Sequence, residues 1–391
     1  MSGHNETDSR RHCLVYLPHS YTGSGPAESC MQMLAAFPGL GWDVSVHLIR
    51  ARKALPVGVE GVEAAGGLMR HLPFCWIARA AKRHLDRQFA VALDRAPIGS
   101  VAWFWPDAPV ALVRRARANR LVAVREMINS PWAHAKPVLD RAFAQAGIAP
   151  THGITTSSIA HENEELAAYD AVFAGNAEVE RALTELGISP PRILASSFGW
   201  TACRFAPPEH RDAKRPFRAA FVGTLGVRKG VPVLLQAWEA AGISGELVLA
   251  GAIEDNVRPL VEAAVSRGNG VRWLGPTANV AVLLSASDLF VFPTWEEGGP
   301  QVTYEAAAMG LPIVTTPMGA ARLVNDEKTG LIVPPGDVDA LANAIRHAAS
   351  DAGARAIWGA AARKAADAFE YVHVGAERSG LLARLASDRR A

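Results

Sequence analysis

The stretch DLFVFPTWEEGGPQVTYEAAAMGLPIVTT, residues 288–316, combines two kinds of secondary-structure signal. The apolar runs DLFVFP and PIVTT have the composition of strands, and the small-residue stretch between them, from about Gln301 to Met309, is typical of a helix. A helix enclosed by two such strands predicts a parallel strand–helix–strand unit. The loop after the first strand then lies at the carboxyl edge of a parallel sheet, where such sheets bind ligands.

The same alternation continues on both sides of this stretch. Strand-like FRAAFVG, ELVLAG and VRWLG alternate with helix-like VPVLLQAWEAAG, NVRPLVEAAVSRG and ANVAVLLSA. Near-continuous apolar strands of this kind indicate a sheet covered by helices on both faces. In the first half, CLVYLP, DVSVHLI, SVAWFW, LVAVRE and DAVFAG show the pattern less cleanly.

We therefore predict an α/β fold of two Rossmann-like domains that face each other across a cleft. The predicted domains are residues 1–205 and 206–391, joined by the charged, Pro-rich segment 206–216. A C-terminal helix from about residue 366 is expected to pack back on the first domain.

Composition narrows the class of protein. The 391 residues are 49% hydrophobic, which supports two cores rather than one. A net charge of +2 argues against a nucleic-acid partner. The four cysteines, Cys13, Cys30, Cys75 and Cys203, form no CxxC pair and are expected to be small buried side chains in a reducing compartment. With no signal-peptide core and no bilayer-length apolar run, we predict a cytoplasmic protein.

The loop at residues 293–300 precedes a potential anion site. Pro300 suits the first position of a helix and Gly299 its cap, so the next amides point out of the helix end and attract a phosphate or diphosphate. Those amides belong to Gln301, Val302 and Thr303.

Two carboxylates flank this helix end: Glu297 stands before the helix and Glu305 in its second turn. Because carboxylates repel phosphates, hydroxyl groups on either side of a sugar nucleotide's diphosphate are their suitable partners. A solvated acidic loop is the alternative explanation when the loop is taken alone. Glu296 lies outside this register and is expected to be solvated and replaceable.

A second signal is the basic pair in FVGTLGVRKG. A strand ends at Gly223, and Arg228 and Lys229 follow just before a helix. Two cations at the carboxyl edge of the same sheet can neutralise a diphosphate leaving group. A solvated basic pair explains them as well if they are considered in isolation.

Together these motifs resemble the donor-binding half of glycosyltransferase family 4. That family has a Glu, seven residues and a second Glu, and Glu297 and Glu305 fall on these two positions. GTLGVRKG is similar to its Gly-Arg-Leu-x-x-x-Lys-Gly phosphate motif, with Lys229 on the Lys. The resemblance is strong over about residues 219–345, moderate over about 121–205 and weak before that.

The resemblance implies the two-domain B-type glycosyltransferase fold and a retaining, metal-independent transfer of a sugar from a nucleotide-sugar donor. The implied acceptor is a glycan, a lipid-linked molecule or a small molecule, in bacterial surface polysaccharide or glycoconjugate synthesis, and no cofactor is implied. Glu297 would contact the transferred sugar and Glu305 the ribose, while Lys229 and Arg228 would stabilise the departing diphosphate. The donor set is completed by Gly223, Thr224, Gly298, Gly299, Gln301, Val302 and Thr303.

Two departures from the family pattern concern this donor set. Thr224 stands where the family has Arg, and Arg228 is the candidate substitute. Gly298-Gly299-Pro300 replaces the usual Gly-Phe-Gly, which alters the shape of the loop and could alter sugar selection.

Acceptor-side candidates come from the first half. The loop Gly23, Ser24 and Gly25 follows the first strand, and glycine permits close backbone approach to a ligand. His19 lies beside it. Arg125 or Glu126, in VREMINSPWAHAK, is near the place where some family members keep a sugar-contacting His.

Three other signals favour ordinary structural roles. Asp337 and Asp339 in GDVDALANAI are expected to be a helix N-cap and a first-turn residue rather than metal ligands. HENEE, residues 161–165, lacks a second His one turn on and is expected to be a solvated helix face. The apolar, basic segment 68–89 is interpreted as an amphipathic helix over the core, the alternative being a peripheral helix on anionic lipid at the inner face of the membrane.

Two alternative functions stay open at this point. A sugar-nucleotide 2-epimerase would use the same fold and donor, and a non-catalytic nucleotide-sugar-binding protein would keep the site without chemistry. A dinucleotide dehydrogenase is disfavoured because YTGSGPAES is not a GxGxxG motif.

Overall fold

The computed structural model describes residues 10–66, 72, 74–208, 215–277 and 279–390. The first half contains the strands β1 (Arg11–Tyr21), β2 (Trp42–Ala51), β3 (Val59–Glu63), β4 (Val101–Phe104), β5 (Val122–Glu126), β6 (Ala171–Ala174) and β7 (Ile193–Ala195). Its helices are α1 (Gly25–Leu34), α2 (Phe74–Arg95), α3 (Val110–Ala118), α4 (Trp132–Ala146), α5 (Thr156–Ala168) and α6 (Ala177–Glu185).

The second half repeats this arrangement. Its strands are β8 (Phe217–Val222), β9 (Gly245–Ala250), β10 (Val271–Trp273), β11 (Leu289–Phe292), β12 (Ile313–Thr315) and β13 (Gly330–Ile332). Its helices are α7 (Val231–Ala241), α8 (Arg258–Ser266), α9 (Val280–Ser285), α10 (Gln301–Ala308), α11 (Val338–Ser350), α12 (Ala352–Ala366) and α13 (Tyr371–Arg390).

The strands form two parallel sheets. The first has seven strands in the order β3-β2-β1-β4-β5-β6-β7, and the second has six in the order β10-β9-β8-β11-β12-β13. Neighbouring strands pair in the parallel sense, as in β1 with β4 and β8 with β11. This confirms the predicted fold class. The short strands β3, β7 and β13 were not predicted.

Strand β4 shows how the first sheet is buried on both faces. Val101 and Trp103 belong to one hydrophobic cluster, whereas Ala102 and Phe104 belong to another on the opposite face. The cluster around Trp103 continues without a break into the second half, where it includes residues of β8 and β11. The two halves therefore share one apolar core on this side.

Helix α13 returns from the second half and packs against α1 of the first. Ser379 Oγ accepts a hydrogen bond from Trp42 Nε1 at 2.9 Å. Near the crossing, Trp200 Nε1 donates to Ala366 O at 2.7 Å, and Trp200 forms a parallel backbone bridge with Glu370. The domain boundary at 205/206 stays a prediction, and linker residues 209–214 lie outside the described residues.

Helix α2 covers most of the segment 68–89. It buries Ile77, Ala81, Leu85 and Phe89 against the first sheet, as an amphipathic core helix does. Residues 68–71 and 73 lie outside the described residues. Within the described ranges, no helix combines the length and the apolarity needed to cross a bilayer.

The cysteine prediction holds only in part. Cys13 and Cys30 are buried, whereas Cys203 is exposed. The expectation that all four are core residues was therefore wrong for Cys203, which lies in the turn just after the Trp200 crossing.

Candidate active site

Two loops meet at the carboxyl edge of the second sheet. One follows β8 and carries Arg228 and Lys229, and the other follows β11 and carries Glu297. The carbonyl oxygen of Arg228 joins them, because it accepts from Trp295 N at 2.9 Å and from Thr294 Oγ1 at 3.2 Å. Gly230 permits this contact: it has φ 72°, and a Cβ there would lie 2.0 Å from Pro293 O.

Lys229 and Glu297 form an ion pair between Lys229 Nζ and Glu297 Oε1. Arg228 Nη2 lies 3.9 Å from the other carboxylate oxygen of Glu297. Burial, followed by the neighbouring Arg228 guanidinium, lowers the pKa of Lys229 to about 7, against the opposing effect of Glu296 and Glu254. The structure thus brings the predicted cations and carboxylate together as partners of one another. A diphosphate that binds Lys229 must replace Glu297 as its counter-ion.

Glu296 is not solvated, and this expectation was wrong. It is 2% exposed, and its Oε1 accepts from Ser130 N at 2.8 Å and from Ser130 Oγ at 2.9 Å. Its Oε2 lies 2.7 Å from Arg228 Nε. The loop turns this side chain toward the first half, and no sequence motif marks such a contact.

The Gly298-Gly299 pair packs directly on the first half. A Cβ at Gly298 would lie 2.1 Å from the carbonyl carbon of Ile128, and one at Gly299 would lie 2.2 Å from Phe198 Cδ2. Asn176 Nδ2 donates to Gly298 O at 3.1 Å. The departure from Gly-Phe-Gly therefore has a steric reason, since Phe198 occupies the space that a side chain at residue 299 would need.

Helix α10 begins at Gln301, as predicted, but Pro300 is its N-cap rather than its first residue. Thr303 N donates to Pro300 O at 3.1 Å, so this amide is not free as expected. Within the described part of the chain, the backbone N–H groups of Gln301 and Val302 therefore remain as the hydrogen-bond donors available to a ligand at the start of α10. The Gln301 side chain reaches the first half, where Nε2 lies 2.5 Å from Ser29 Oγ.

Glu305 has different surroundings from Glu297. It is half-buried in the second turn of α10, and burial raises its pKa to about 7, with an opposing effect from Arg204. Of the remaining donor candidates, Gly223 is half-buried at the end of β8 and Thr224 is exposed. The two carboxylates thus face different groups, as the two predicted roles require.

The glycine loop of the first half is shorter than expected. Strand β1 extends through Tyr21 and α1 begins at Gly25, so His19 is a strand residue and not a loop residue. Its Nε2 is buried with no hydrogen-bond partner among the described residues, and burial lowers the pKa of His19. Lys53 lies over the loop, since a Cβ at Gly23 would fall 2.1 Å from Lys53 Nζ. This cation was missed by the sequence analysis.

Glu126 and Arg125 are buried and paired with other charged side chains. Glu126 is 0% exposed, and its Oε2 accepts from Arg378 Nη1 at 2.5 Å and from Trp103 Nε1 at 3.2 Å. Arg125 is buried between Glu162, at 3.4 Å, and Glu165. Both residues also line the cavity of the first half described below, and their acceptor role stays a prediction. Glu162 and Glu165 are buried, so the expectation of a solvated helix face was wrong for them.

Two cavities share Asn129, Ser130 and Trp132 in their walls, beside the contact of Ser130 with Glu296. One, of about 340 Å³, lies between the halves and is lined on the second half by Arg228, Glu254 and Glu296. The other, of about 520 Å³, lies in the first half and includes Lys82 and Asp107. Both open beside the segment that contacts Glu296, so an acceptor has room on either side of it.

The Asp-x-Asp sequence is structural, as predicted. Asp337 is the N-cap of α11 and accepts from Ala340 N at 2.9 Å, while Asp339 stands in the first turn. Among the described residues, no three His, Cys, Asp or Glu side chains are grouped closely enough to hold a metal ion.

The chain is similar in sequence to known glycosyltransferases. Residues 216–351 match the family described as "Glycosyl transferases group 1". Over 207 residues the chain is 28% identical to the capsular polysaccharide biosynthesis glycosyltransferase CapM of Staphylococcus aureus, which covers 49% of this chain and 53% of CapM. Among the curated relatives that it matches, the chain spans from 31% to 56% of their length.

Solved structures resemble the chain over nearly its whole length. Sucrose-phosphate synthase from Thermosynechococcus elongatus superposes with a TM-score of 0.72 at 20% identity, over 97% of this chain and 100% of that one. Anabaena HepE in complex with UDP and glucose superposes with a TM-score of 0.69 at 16% identity, over 95% and 99% of the two chains. The chain therefore has the two-domain B-type glycosyltransferase fold, and its residues 216–351 match the family model of the group 1 glycosyltransferases.

Proposed function

We propose that this protein is a retaining glycosyltransferase that moves a sugar from a nucleotide-sugar donor to a glycan, a lipid-linked molecule or a small molecule. Relatives named for capsular polysaccharide and O-antigen chain synthesis favour an acceptor in surface polysaccharide or glycoconjugate assembly. The chain would act in the cytoplasm, and contact of the exposed face of α2 with the inner face of the membrane is part of this proposal.

The contact between Lys229 and Glu297 carries the proposal. It joins a cation and a carboxylate from neighbouring loops at the carboxyl edge of the second sheet, where a doubly wound sheet binds its ligand. Lys229 would neutralise the departing diphosphate, and Glu297, once released from Lys229, would accept hydrogen bonds from hydroxyls of the transferred sugar.

The remaining donor contacts follow from α10. The amides of Gln301 and Val302 and the positive end of the helix dipole would bind the phosphates. Glu305 would accept hydrogen bonds from the ribose hydroxyls. Gly223 and Thr224 would lie beside the donor between its phosphates and its ribose. The glycine loop of the first half, with Lys53 above it, would approach from the facing side.

No protein carboxylate need attack the sugar in this scheme. The leaving phosphate oxygen takes the proton of the acceptor hydroxyl as the new glycosidic bond forms on the face from which the old bond departs. Transfer on one face retains the anomeric configuration. Lys229 contributes by stabilising the charge that develops on the diphosphate in the transition state.

The test has a binding arm and a turnover arm. UDP, GDP and ADP are screened by thermal shift, and the matching sugar nucleotides are then assayed for release of nucleoside diphosphate. A ligand that binds only the folded protein raises its melting temperature. We expect one base to give a clear shift, and we expect Lys229→Ala to lower turnover by about 100-fold or more, as for the loss of one preorganised charge contact.

Incubation of the sugar nucleotide without acceptor separates the alternatives. A transferase gives at most slow hydrolysis, whereas an epimerase converts the donor to its isomer. Absence of any shift with all three nucleotides, or full turnover in a folded Lys229→Ala variant, would contradict the proposal.

A further inference from the structure

Four residues form a polar bridge between the two halves next to the loop at residues 293–300, called the donor loop below. Asn129 and Ser130 come from the first half, and Arg228 and Glu296 from the second. Glu296 accepts from Ser130 N and Oγ at 2.8 and 2.9 Å and lies 2.7 Å from Arg228 Nε. Arg228 Nη2 donates to Asn129 Oδ1 at 2.6 Å, which closes the bridge.

Burial makes the bridge depend on Glu296. The Glu296 side chain is 3% exposed, and a carboxylate so far from water is tolerated only with charged or hydrogen-bonded partners. The three partner groups of Glu296 are the backbone N–H and the hydroxyl of Ser130, in the first half, and the guanidinium of Arg228, in the second half. Arg228 is held by the same contacts, since Nε faces Glu296 while Nη2 faces Asn129. Glu296 therefore orients this guanidinium group, and Glu296 is itself held by Ser130 across the domain boundary.

The bridge is continuous with the groups assigned to the reaction. Arg228 precedes Lys229 in the chain, and Glu296 precedes Glu297. The carbonyl of Arg228 also accepts from Trp295 N at 2.9 Å. A shift of either bridge residue in the second half therefore displaces the Lys229–Glu297 pair, and a small displacement of reacting groups is costly for turnover.

We propose that Glu296 is a positioning residue for sugar transfer: it holds Arg228 and the donor loop against residues 129–130 of the first half and so fixes the two halves in the arrangement used for the reaction. The inference rests on the function proposed above for Lys229 and Glu297. In this proposal Glu296 acts through Arg228 and the donor loop rather than on the substrate. Its loss is expected to lower kcat and to leave the affinity for free nucleoside diphosphate nearly unchanged.

Glu296→Gln tests this role, because it keeps the size of the side chain and one acceptor oxygen but removes the charge that pairs with Arg228. UDP-glucose, GDP-mannose and ADP-glucose are assayed as a panel for release of nucleoside diphosphate. We expect kcat to fall by about tenfold or more, while the Kd of the nucleoside diphosphate stays within about twofold of the wild-type value. Ser130→Ala should change kcat in the same direction by less, because the backbone N–H of Ser130 is retained.

Solution scattering supplies a readout that needs no substrate. If the bridge holds the halves together, Glu296→Gln should increase the radius of gyration of the folded protein, and Ser130→Ala should do so to a smaller extent. This measurement separates the two proposals: if no nucleotide binds the wild-type protein, the proposed function fails, and the radius of gyration still decides whether Glu296 joins the halves.

Glu180→Gln is the matched control. Glu180 is a first-half carboxylate that pairs with a second-half arginine, Arg322, so it too lies at a charged contact between the halves; within the described ranges it makes no bond to Arg228 or Glu296. Its replacement should leave kcat within about twofold of wild type. Wild-type kcat in Glu296→Gln, an equal loss in Glu180→Gln, a loss of nucleotide affinity as large as the loss of kcat, or an unchanged radius of gyration would overturn the role assigned to Glu296.

Discussion

The carboxylate of Glu297 lies near two cations, Lys229 and Arg228. It cannot pair with Lys229 and bind a sugar hydroxyl through the same oxygen at once. Its Oε1 pairs with Lys229, and its Oε2 lies 3.9 Å from Arg228 Nη2. Within the described residues Glu305 forms no ion pair, and it lies in the second turn of α10. The two carboxylates of the motif should therefore respond differently to mutation.

Glu305→Ala is expected to weaken binding of free nucleoside diphosphate and of the intact donor equally, by about 1.5–3 kcal/mol, the scale of a hydrogen bond to a charged group. Glu297→Ala should leave binding of free nucleoside diphosphate unchanged or tighter, because its carboxylate competes with the diphosphate for Lys229. Its turnover should fall, since its sugar partner exists only on the donor. Calorimetric titration of both variants beside an activity assay checks the pair, and equal weakening of nucleoside diphosphate binding in both would contradict the division of roles.

Lys229 provides a pH test at the same scale. Its pKa of about 7 means that it loses its charge as the pH rises above 7, while a diphosphate favours the charged form. Nucleoside diphosphate binding should therefore weaken above pH 7, by up to about tenfold per pH unit, and should take up a proton. Titration calorimetry between pH 7 and 9, in two buffers of different ionisation enthalpy, measures both effects.

Lys229→Arg is the control for that experiment, because arginine stays charged throughout this range. Titration of the ligand itself would appear in both proteins, so only the difference between them belongs to Lys229. An equal pH dependence in the variant would remove Lys229 as its origin.

Among the elements, α13 contributes a fully buried charge. Arg378 is 0% exposed, pairs with Glu126, donates to Ser197 O at 2.9 Å and lies 4.4 Å from the centroid of the Phe173 ring. Burial raises the pKa of Glu126, and Arg378 counteracts this effect. A helix from the end of the chain thus neutralises a carboxylate at the end of β5.

Arg378→Met should lower the free energy of unfolding by about 3–5 kcal/mol, the usual cost of leaving one charge of a buried pair alone. Without Arg378 the folded-state pKa of Glu126 rises further above its unfolded value. The deficit should therefore be small at low pH, where Glu126 is protonated in both states, and should grow as the pH rises. Urea unfolding at pH 5 and pH 8 measures this. Partial recovery in the double variant Glu126→Gln/Arg378→Met is expected, and its absence would point to lost packing rather than to the buried charge.

At the scale of the whole molecule, the contact between the halves is close at Gly298. The backbone of this residue touches that of Ile128 and Asn129, with a built Cβ only 2.1 Å from the nearest Ile128 atom. Because the atoms nearest to such a Cβ are backbone atoms of Ile128 and Asn129, no flexible side chain can move aside to make room. The distance between the halves is thus set by the absence of a side chain at residue 298.

Gly298→Ala should force the halves apart, with a larger radius of gyration and a loss of turnover in a protein that remains folded. Gly380→Ala in α13 is the control, because nothing lies within 4 Å of a Cβ there. Scattering and turnover are measured on both variants. A Gly298→Ala protein with the wild-type radius of gyration and full turnover would show that the contact yields without consequence.

Local sequence sufficed for much of this architecture. The apolar runs of β8, β9 and β11 and the helices α7 and α10 were predicted close to their observed bounds, because a doubly buried parallel strand and a small-residue helix each leave a periodic signature within a few residues. Lys229 and Glu297 were expected at one edge of the sheet from a strand end and the loop after it, and the structure pairs them there. The roles assigned to them and to Glu305 stay predictions. Asp337 was recognised as an N-cap by its position alone.

Only the tertiary structure decided which charges meet. Glu126 and Arg378 are far apart in the chain, as are Glu296 and Ser130, and neither pair has a local pattern. Tertiary packing pairs Glu126 with Arg378, and it buries Glu296, which was expected to be solvated, in a contact between the halves. The physical reason is that periodicity reports which face of an element is buried, whereas the partner of a buried charge depends on how distant elements pack, and that packing alone determines whether the charge is satisfied.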